Sequence, residues 1–388
     1  MKLIYVASAR IPSEKAHPYQ ILKMSEAFEK SNVDTTLALT FRFQTNKKLK
    51  QIKDIWSYYG IEKRFKIIKL PCLDLVYFDI YTTWASSIRF LIRQISFGIS
   101  SALYSIFKRA DVYYTRDRFF AYSFGSTKFL HGKKMYYEVH MFESSIAAYI
   151  KKGWIDGLIV ITQKLKERYI REGISEKKIL VAPDGVDLKM FGIPKIKEDV
   201  RNELEIPLNK KIICYSGHLY DWKGADVLAK GTKHLPDNFI TYFIGGTEED
   251  ISKFKDFIKS NEISNAVVVG HVPPMMVPKY LAASDVLVLP NIKKGLSEYT
   301  SPLKLFEYMA SKRPIVASDL QTIREILNEE NAVLVEPGNP KEVADGTKKV
   351  LENEELAERI TEKAYEDVQQ YDWRKRAERI LDFVKRGM

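Results

Sequence analysis

Cysteine is nearly absent from this 388-residue chain: Cys72 and Cys214 are the only two, each inside an apolar run. That excludes a disulfide framework and a cysteine-built zinc site, and it fits a reducing, cytoplasmic setting. Six histidines (His17, His131, His140, His218, His234 and His271) never pair at metal-ligand spacing. No Gly-x-Gly-x-x-Gly follows a strand pattern and no Walker A sequence occurs, which argues against dinucleotide and P-loop chemistry. No two aspartates stand two residues apart, so the Asp-x-Asp arrangement that holds a nucleotide-bound divalent ion is missing, and no metal or other cofactor is expected. The longest apolar stretch, Trp84 to Phe107, is interrupted by Arg89 and Arg93 and does not read as a transmembrane span. Leu3–Ala7 is too short for a signal-peptide core, and Arg10 and Glu14 follow at once, so it reads as a buried first strand.

Basic residues, by contrast, are in surplus. The chain has 61 Lys+Arg against 50 Asp+Glu, a net charge of +11. Residues 1–190 hold 32 and 18 of these, net +14, and residues 191–388 hold 29 and 32, net −3. The excess belongs to the first half, which points that half toward an anionic partner. Length predicts two domains, and 45% hydrophobic with 29% charged residues is ordinary for a globular protein.

Short β-rich runs alternate with helical patterns along the whole chain, as in parallel α/β sheets. In the first half strands are predicted at Leu3–Ala7, Thr35–Leu39, Phe65–Leu70, Asp111–Tyr114, Met135–Val139, Gly157–Ile161 and Ile179–Ala182, with a helix over Ile21–Lys30. The alternation starts afresh with strands at Lys211–Ser216, Phe239–Ile244, Ala266–Val269, Asp285–Leu289, Pro314–Ala317 and Ala332–Val335. Helices are predicted over Ala225–His234, Asp250–Lys259, Leu303–Ser311 and Glu355–Gln370. The segment from Val186 to Leu208 has no apolar period and contains Pro194 and Pro207, so the junction is placed there. The domains read as 1–190 and 191–370, with 371–388 a helix crossing back to the first domain.

Two segments carry candidate chemistry. The strand ending at Ser216 runs into Gly217-His218-Leu219-Tyr220-Asp221-Trp222-Lys223-Gly224 ahead of a helix. A glycine at a strand end lets backbone amides approach an anion, and Lys223 and His218 offer donors for a diphosphate. The same residues also suit a plain turn with a surface lysine. Further on, Tyr299-Thr300-Ser301-Pro302-Leu303 opens a helix, with Thr300 and Ser301 near its N-cap. Glu307 then sits in an apolar setting of Leu303, Phe306 and Ala310, where a carboxylate needs partners such as sugar hydroxyls. An exposed helix glutamate is the plain alternative.

The second half, with its approach, resembles the retaining GT-B glycosyltransferases of glycosyltransferase family 4. Five landmarks match in order: Val181–Asp187, Gly217–Gly224, Gly270-His271-Val272-Pro273, Ala282–Val286 with Pro290, and Ser301–Ala310. The resemblance implies an α/β chain of GT-B type, two Rossmann-like doubly wound domains facing across a cleft. It implies a nucleotide-sugar donor on the second domain and an acceptor, a glycan or a lipid-linked one, on the first. Carried over, Glu307 would hold the ribose and Lys223 the diphosphate, with His218 standing where many members have arginine. Val272 falls in the loop whose backbone reads the base, and Tyr299 to Leu303 form the turn that meets sugar and phosphate. The family's earlier glutamate, eight residues before Glu307, is Tyr299 here. Ala16 and His17 occupy the region where relatives place a glycine pair, and His140 is similar to a histidine beside the acceptor.

Phe41 to Lys69 holds nine Lys/Arg interleaved with Phe41, Phe43, Trp56, Tyr58, Tyr59 and Phe65, and the Trp84–Lys108 run follows. Residues 41–108 therefore read as a face for an anionic membrane surface, or as solvated charge beside core aromatics; nucleic acid is not expected. A GT-B nucleotide-sugar epimerase and a non-catalytic lipid- or nucleic-acid-binding protein are the rival readings.

Overall fold

The computed structural model describes residues 1–75, 83–192, 196–294, 299 and 302–388, with the side chains of the long helix from residue 87 onward. The chain forms two compact units, Met1–Pro183 with Trp373–Met388, and Asp184–Asp372.

Unit one contains β1 (Lys2–Ala7), β2 (Asp34–Thr40), β3 (Lys66–Leu70), β4 (Val112–Thr115), β5 (Met135–Val139), β6 (Gly157–Val160) and β7 (Ile179–Val181). All pair in parallel in the order β3-β2-β1-β4-β5-β6-β7. Strands covered on both faces read as continuous apolar runs, and four of the five residues Leu3–Ala7 are no more than 1% exposed. Helix α1 (Ala16–Lys30) starts five residues before the predicted Ile21. Pro18 explains the shift: in a first turn its missing N–H needs no partner, so it opens a helix rather than breaking one.

Helix α2 (Thr83–Phe107) lies against α3 (Arg118–Ser126) so closely that a Cβ on Gly98 would stand 2.8 Å from the Phe119 backbone. Its window over residues 87–107 is long and apolar enough, by length and composition, to cross a membrane. One side of it, Phe97, Ser101, Ala102 and Ser105, is nevertheless buried in the unit. The other side leaves Ile88, Leu91, Ile95, Ile99, Leu103 and Phe107 exposed at helical spacing, one stripe along the helix. Within 41–69 the basic-aromatic reading is partly corrected. Tyr59 and Phe65 are core residues and Trp56 packs edge-on to Phe65 at 5.1 Å, while Phe41 and Phe43 are exposed.

Unit two repeats the plan with β8 (Lys211–Ser216), β9 (Phe239–Ile244), β10 (Ala266–Gly270), β11 (Val286–Leu289), β12 (Ile315–Ser318) and β13 (Val333–Val335). Their order is β10-β9-β8-β11-β12-β13, again all parallel. In each sheet the strand order reverses beside the first strand, between β1 and β4 and between β8 and β11. Ligands in such sheets bind beyond the carboxyl ends of the strands at that reversal. The carboxyl end of β8 leads into residues 217–224, and Tyr299–Leu303 follows β11 in the chain; these are the two segments singled out above.

The boundary between units falls at Pro183–Asp184. Val186 pairs with Asp372, its N–H donating to the Tyr371 carbonyl at 3.0 Å, and Phe191 joins the core of unit two. The C-terminal helix, Trp373–Arg386, packs in unit one, where the Tyr136 hydroxyl donates to the Val384 carbonyl at 3.1 Å. Counted by structural unit, the charge asymmetry widens. Unit one holds 37 Lys+Arg and 18 Asp+Glu, net +19, and unit two holds 24 and 32, net −8.

Candidate functional site

In unit two the loop after β8 is shaped by glycines. Gly217 has φ +141° and donates its N–H to the Ile244 carbonyl at 2.7 Å, so it lies against the end of β9. A Cβ on Gly245 would stand 2.4 Å from the Gly217 carbonyl oxygen, and the Gly245 N–H reaches the Gly270 carbonyl at 2.7 Å. The ends of β8, β9 and β10 are thus laced side by side, which brings the loop carrying Val272, half-buried against the core, to the same sheet edge. Gly224, φ +71°, caps helix α4 (Ala225–Thr232) from the left-handed region, and a Cβ there would stand 1.8 Å from the Pro290 carbonyl oxygen. That contact ties the β8 loop to the end of β11.

Helix α5 (Leu303–Ala310) is fastened to the same place. The buried Tyr308 hydroxyl accepts from the Ser216 N–H at 2.8 Å, just ahead of Gly217. Its N-cap is Pro302, whose side chain has no group to bond the first-turn amides; the Leu305 N–H turns back to the Pro302 carbonyl at 2.9 Å, and the Leu303 and Lys304 N–H groups stand at the positive end of the helix. Pro302 is buried, Leu303 and Tyr299 are half-buried, and Thr300 and Ser301 lie outside the described residues.

The charged groups gathered there are perturbed. Glu307 is half-buried, and desolvation pushes its carboxyl up to about 7 while nearby Lys304 pulls the other way. The Lys223 ammonium lies 4.0 Å over the Trp222 ring, and burial lowers it to about 8. The His218 imidazole stacks on Tyr220 with ring centroids 4.8 Å apart and planes nearly parallel, and the Tyr215 hydroxyl donates to the His218 carbonyl at 2.5 Å. Lys304, which the sequence reading passed over, is 6% exposed. Its Nζ lies 3.8 Å from the Tyr215 ring centroid. A lysine inside the run Leu303–Phe306 is the signal that could have found it.

Unit one gathers the other candidates at the ends of β1, β4 and β5. Ala16 is exposed in the first turn of α1. Half-buried His17 is held down to about 3 by desolvation and by Arg116, Lys15, His140 and Arg42, so it is neutral. His140 Nε2 donates to Glu138 Oε1 at 2.5 Å. Glu138 is wholly buried, yet Arg376 and His140 hold its carboxyl well below the usual range. Arg376 Nη1 reaches it at 3.2 Å from the C-terminal helix, Gln20 Nε2 at 2.6 Å, and the Tyr114 hydroxyl also donates. Gln20 Oε1 in turn accepts from Arg116 at 2.7 Å. This network was not expected. A carboxylate in the otherwise apolar strand Met135–Val139 was its only trace in the sequence.

The family described as Glycosyl transferases group 1 matches residues 196–367. A D-inositol 3-phosphate glycosyltransferase of Xylanimonas cellulosilytica is 25% identical over 241 residues, 58% of this chain and 56% of that protein. The chain spans about three-fifths or less of the length of the curated relatives it matches. The Anabaena protein Alr3699/HepE, solved with UDP and glucose, superposes with a TM-score of 0.77 at 14% identity, covering 99% of each chain. Sucrose-phosphate synthase of Thermosynechococcus elongatus gives 0.78 at 16% identity, covering 100% of this chain and 99% of that one. Likeness over the full chain at such low identity identifies the fold, which is GT-B.

Proposed function

We propose that this protein transfers a glycosyl group from a nucleoside diphosphate sugar to an acceptor hydroxyl, with retention at the anomeric carbon. The observation that carries the reading is the convergence of Lys223, Glu307 and the start of α5 on the glycine loop at the reversal point of unit two. A raised carboxyl without a strong cationic partner suits ribose hydroxyls, and Lys223 with the first-turn amides of α5 suits a diphosphate. Val272 and its neighbours would meet the base through their backbone, and Tyr299 to Leu303 the sugar. The family match over residues 196–367 and the relatives' names support the same assignment.

In the reaction the bond from the anomeric carbon to the diphosphate breaks and a bond to the acceptor oxygen forms. The acceptor's proton passes to the departing diphosphate on the same face. Lys223, His218 and the α5 amides stabilise the charge that develops there, so no divalent ion is required. His140, oriented by Glu138, and the Ala16–His17 turn belong to the acceptor side. The exposed stripe of α2 on a unit of net charge +19 supports docking on an anionic bilayer surface, where a lipid-linked acceptor resides.

Binding and hydrolysis of UDP-, GDP- and ADP-sugars, measured with and without EDTA, tests the reading. Turnover of one of them is expected in EDTA, and Glu307→Ala and Lys223→Ala should each remove most of it. Near-native turnover in either variant overturns the donor site, and release of an epimerised sugar without acceptor overturns the transfer reaction.

A further inference from the structure

Lys304 lies inside the donor site of unit two but has no role in the account above. Its Nζ is buried and has no hydrogen-bond partner among the described residues. Burying an ammonium without an anion is costly, and folds retain such groups where a ligand completes them. The groups around it do not. Glu307, one helical turn on, attracts the ammonium without bonding to it, Lys223 repels it, and the Tyr215 ring face at 3.8 Å is its main support. Tyr215 is itself held in place by its bond to the His218 carbonyl.

The backbone keeps a space open beside this ammonium. A Cβ on Gly217 would stand 3.5 Å from Lys304 Nζ and 3.4 Å from the Tyr215 hydroxyl, so glycine leaves free the position any other residue would fill. A diphosphate carries more than one negative charge. Lys223 is one cation facing it. The ring-stacked ammonium of Lys304 is within a short side-chain rearrangement of the same loop.

We propose that Lys304 is a second phosphate-binding cation of this site, which exchanges the Tyr215 ring for phosphate oxygens when a nucleoside diphosphate enters beside Gly217. The inference rests on the donor-site reading. It adds that the site is loaded with a cation stored under the loop, so that ligand charge completes a group left unpaired in the empty protein. Burial and Lys223 hold Lys304 well below the ordinary lysine range in the empty site, and phosphate oxygens beside it favour its charged form.

Isothermal titration of the full chain with UDP, GDP and ADP, and with the matching nucleosides as competitors, tests this. For the diphosphate that binds wild type best, Lys304→Met should weaken binding at least roughly tenfold, and Lys304→Arg much less. Nucleoside affinity should stay within about twofold in both variants, a split that a merely structural role would not produce. Equal diphosphate affinity in wild type and Lys304→Met overturns the proposal, as does equal loss of nucleoside and diphosphate binding in both variants. If no nucleoside diphosphate binds the wild-type protein, the donor-site reading falls and takes this inference with it.

Discussion

Replacing Glu307 with glutamine should stabilise the empty protein at neutral and alkaline pH and leave it unchanged in acid. The carboxyl is pushed from its ordinary value near 4.5 to about 7 by desolvation. Below pH 4.5 folded and unfolded chains both hold the proton and no penalty exists. From there to pH 7 the unfolded chain gives the proton up while the folded one keeps it, and each pH unit costs the fold about 1.4 kcal/mol. Above 7 both forms are ionised and the penalty stays level. The full separation is worth roughly 3 kcal/mol, and because Glu307 is only half-buried, solvent reduces our expectation to about 2 kcal/mol. Glutamine has nearly the same shape and does not titrate. Thermal or urea unfolding at pH 5, 6, 7 and 8 should therefore show a gap that opens up to pH 7 and then stays flat. At pH 8 the gap should be about 4–8 °C in the melting of unit two. The same variant should bind nucleoside diphosphates more weakly, since an amide is a poorer acceptor for ribose hydroxyls than a carboxylate. A variant less stable than wild type at pH 8, or a gap that ignores pH, would refute the reasoning. Glu307 would then be an ion-pair partner of Lys304 rather than a carboxylate waiting for a ligand.

Gly224→Ala places a methyl against the Pro290 carbonyl oxygen, where the contact would be 1.8 Å, at a φ of +71°, so a loss of about 3 kcal/mol or more is expected from denaturant unfolding. Arg376→Met removes the main cation from wholly buried Glu138 and should cost about 3 kcal/mol at pH 7. Glu138 is held below its unfolded value, so this contribution is present above pH 4.5 and is lost as pH falls further. The difference between wild type and Arg376→Met should shrink in acid, which melting curves at pH 7 and pH 4 can check. Ile95→Asp with Ile99→Asp interrupts the exposed stripe of α2 and should abolish sedimentation with vesicles containing phosphatidylglycerol while leaving the melting temperature near wild type. Retained sedimentation would move the membrane contact elsewhere.

Much of the fold was legible because parallel strands buried on both faces must be apolar runs, and Lys211–Ser216, Phe239–Ile244 and Met135–Val139 match their predicted bounds to the residue. Helix starts were less legible. Pro18 is a breaker in mid-helix but a good first-turn residue, and local sequence does not say which turn it occupies. Gly217, Lys223 and Glu307 could be picked out because a glycine after a strand and a carboxylate in an apolar helix are local anomalies. Lys304 and Glu138 are anomalies of the same kind. Their meaning depends on what lies opposite, and the Tyr215 ring and the guanidinium of Arg376 are far away in the chain.

By itself the amino-acid sequence determined two doubly wound sheets, the loops that end their first strands, and a basic first half against a near-neutral second. Those properties follow from local pattern and from composition. Tertiary structure alone decided which residues share a site and which share a charge. Returning the chain at Trp373 adds the C-terminal helix to unit one, which raises its charge to +19 and sets Arg376 on Glu138. The packing of α5 under the β8 loop leaves one lysine buried with an aromatic ring for support. Burial and pairing are relations between distant segments, and only folding brings those segments together.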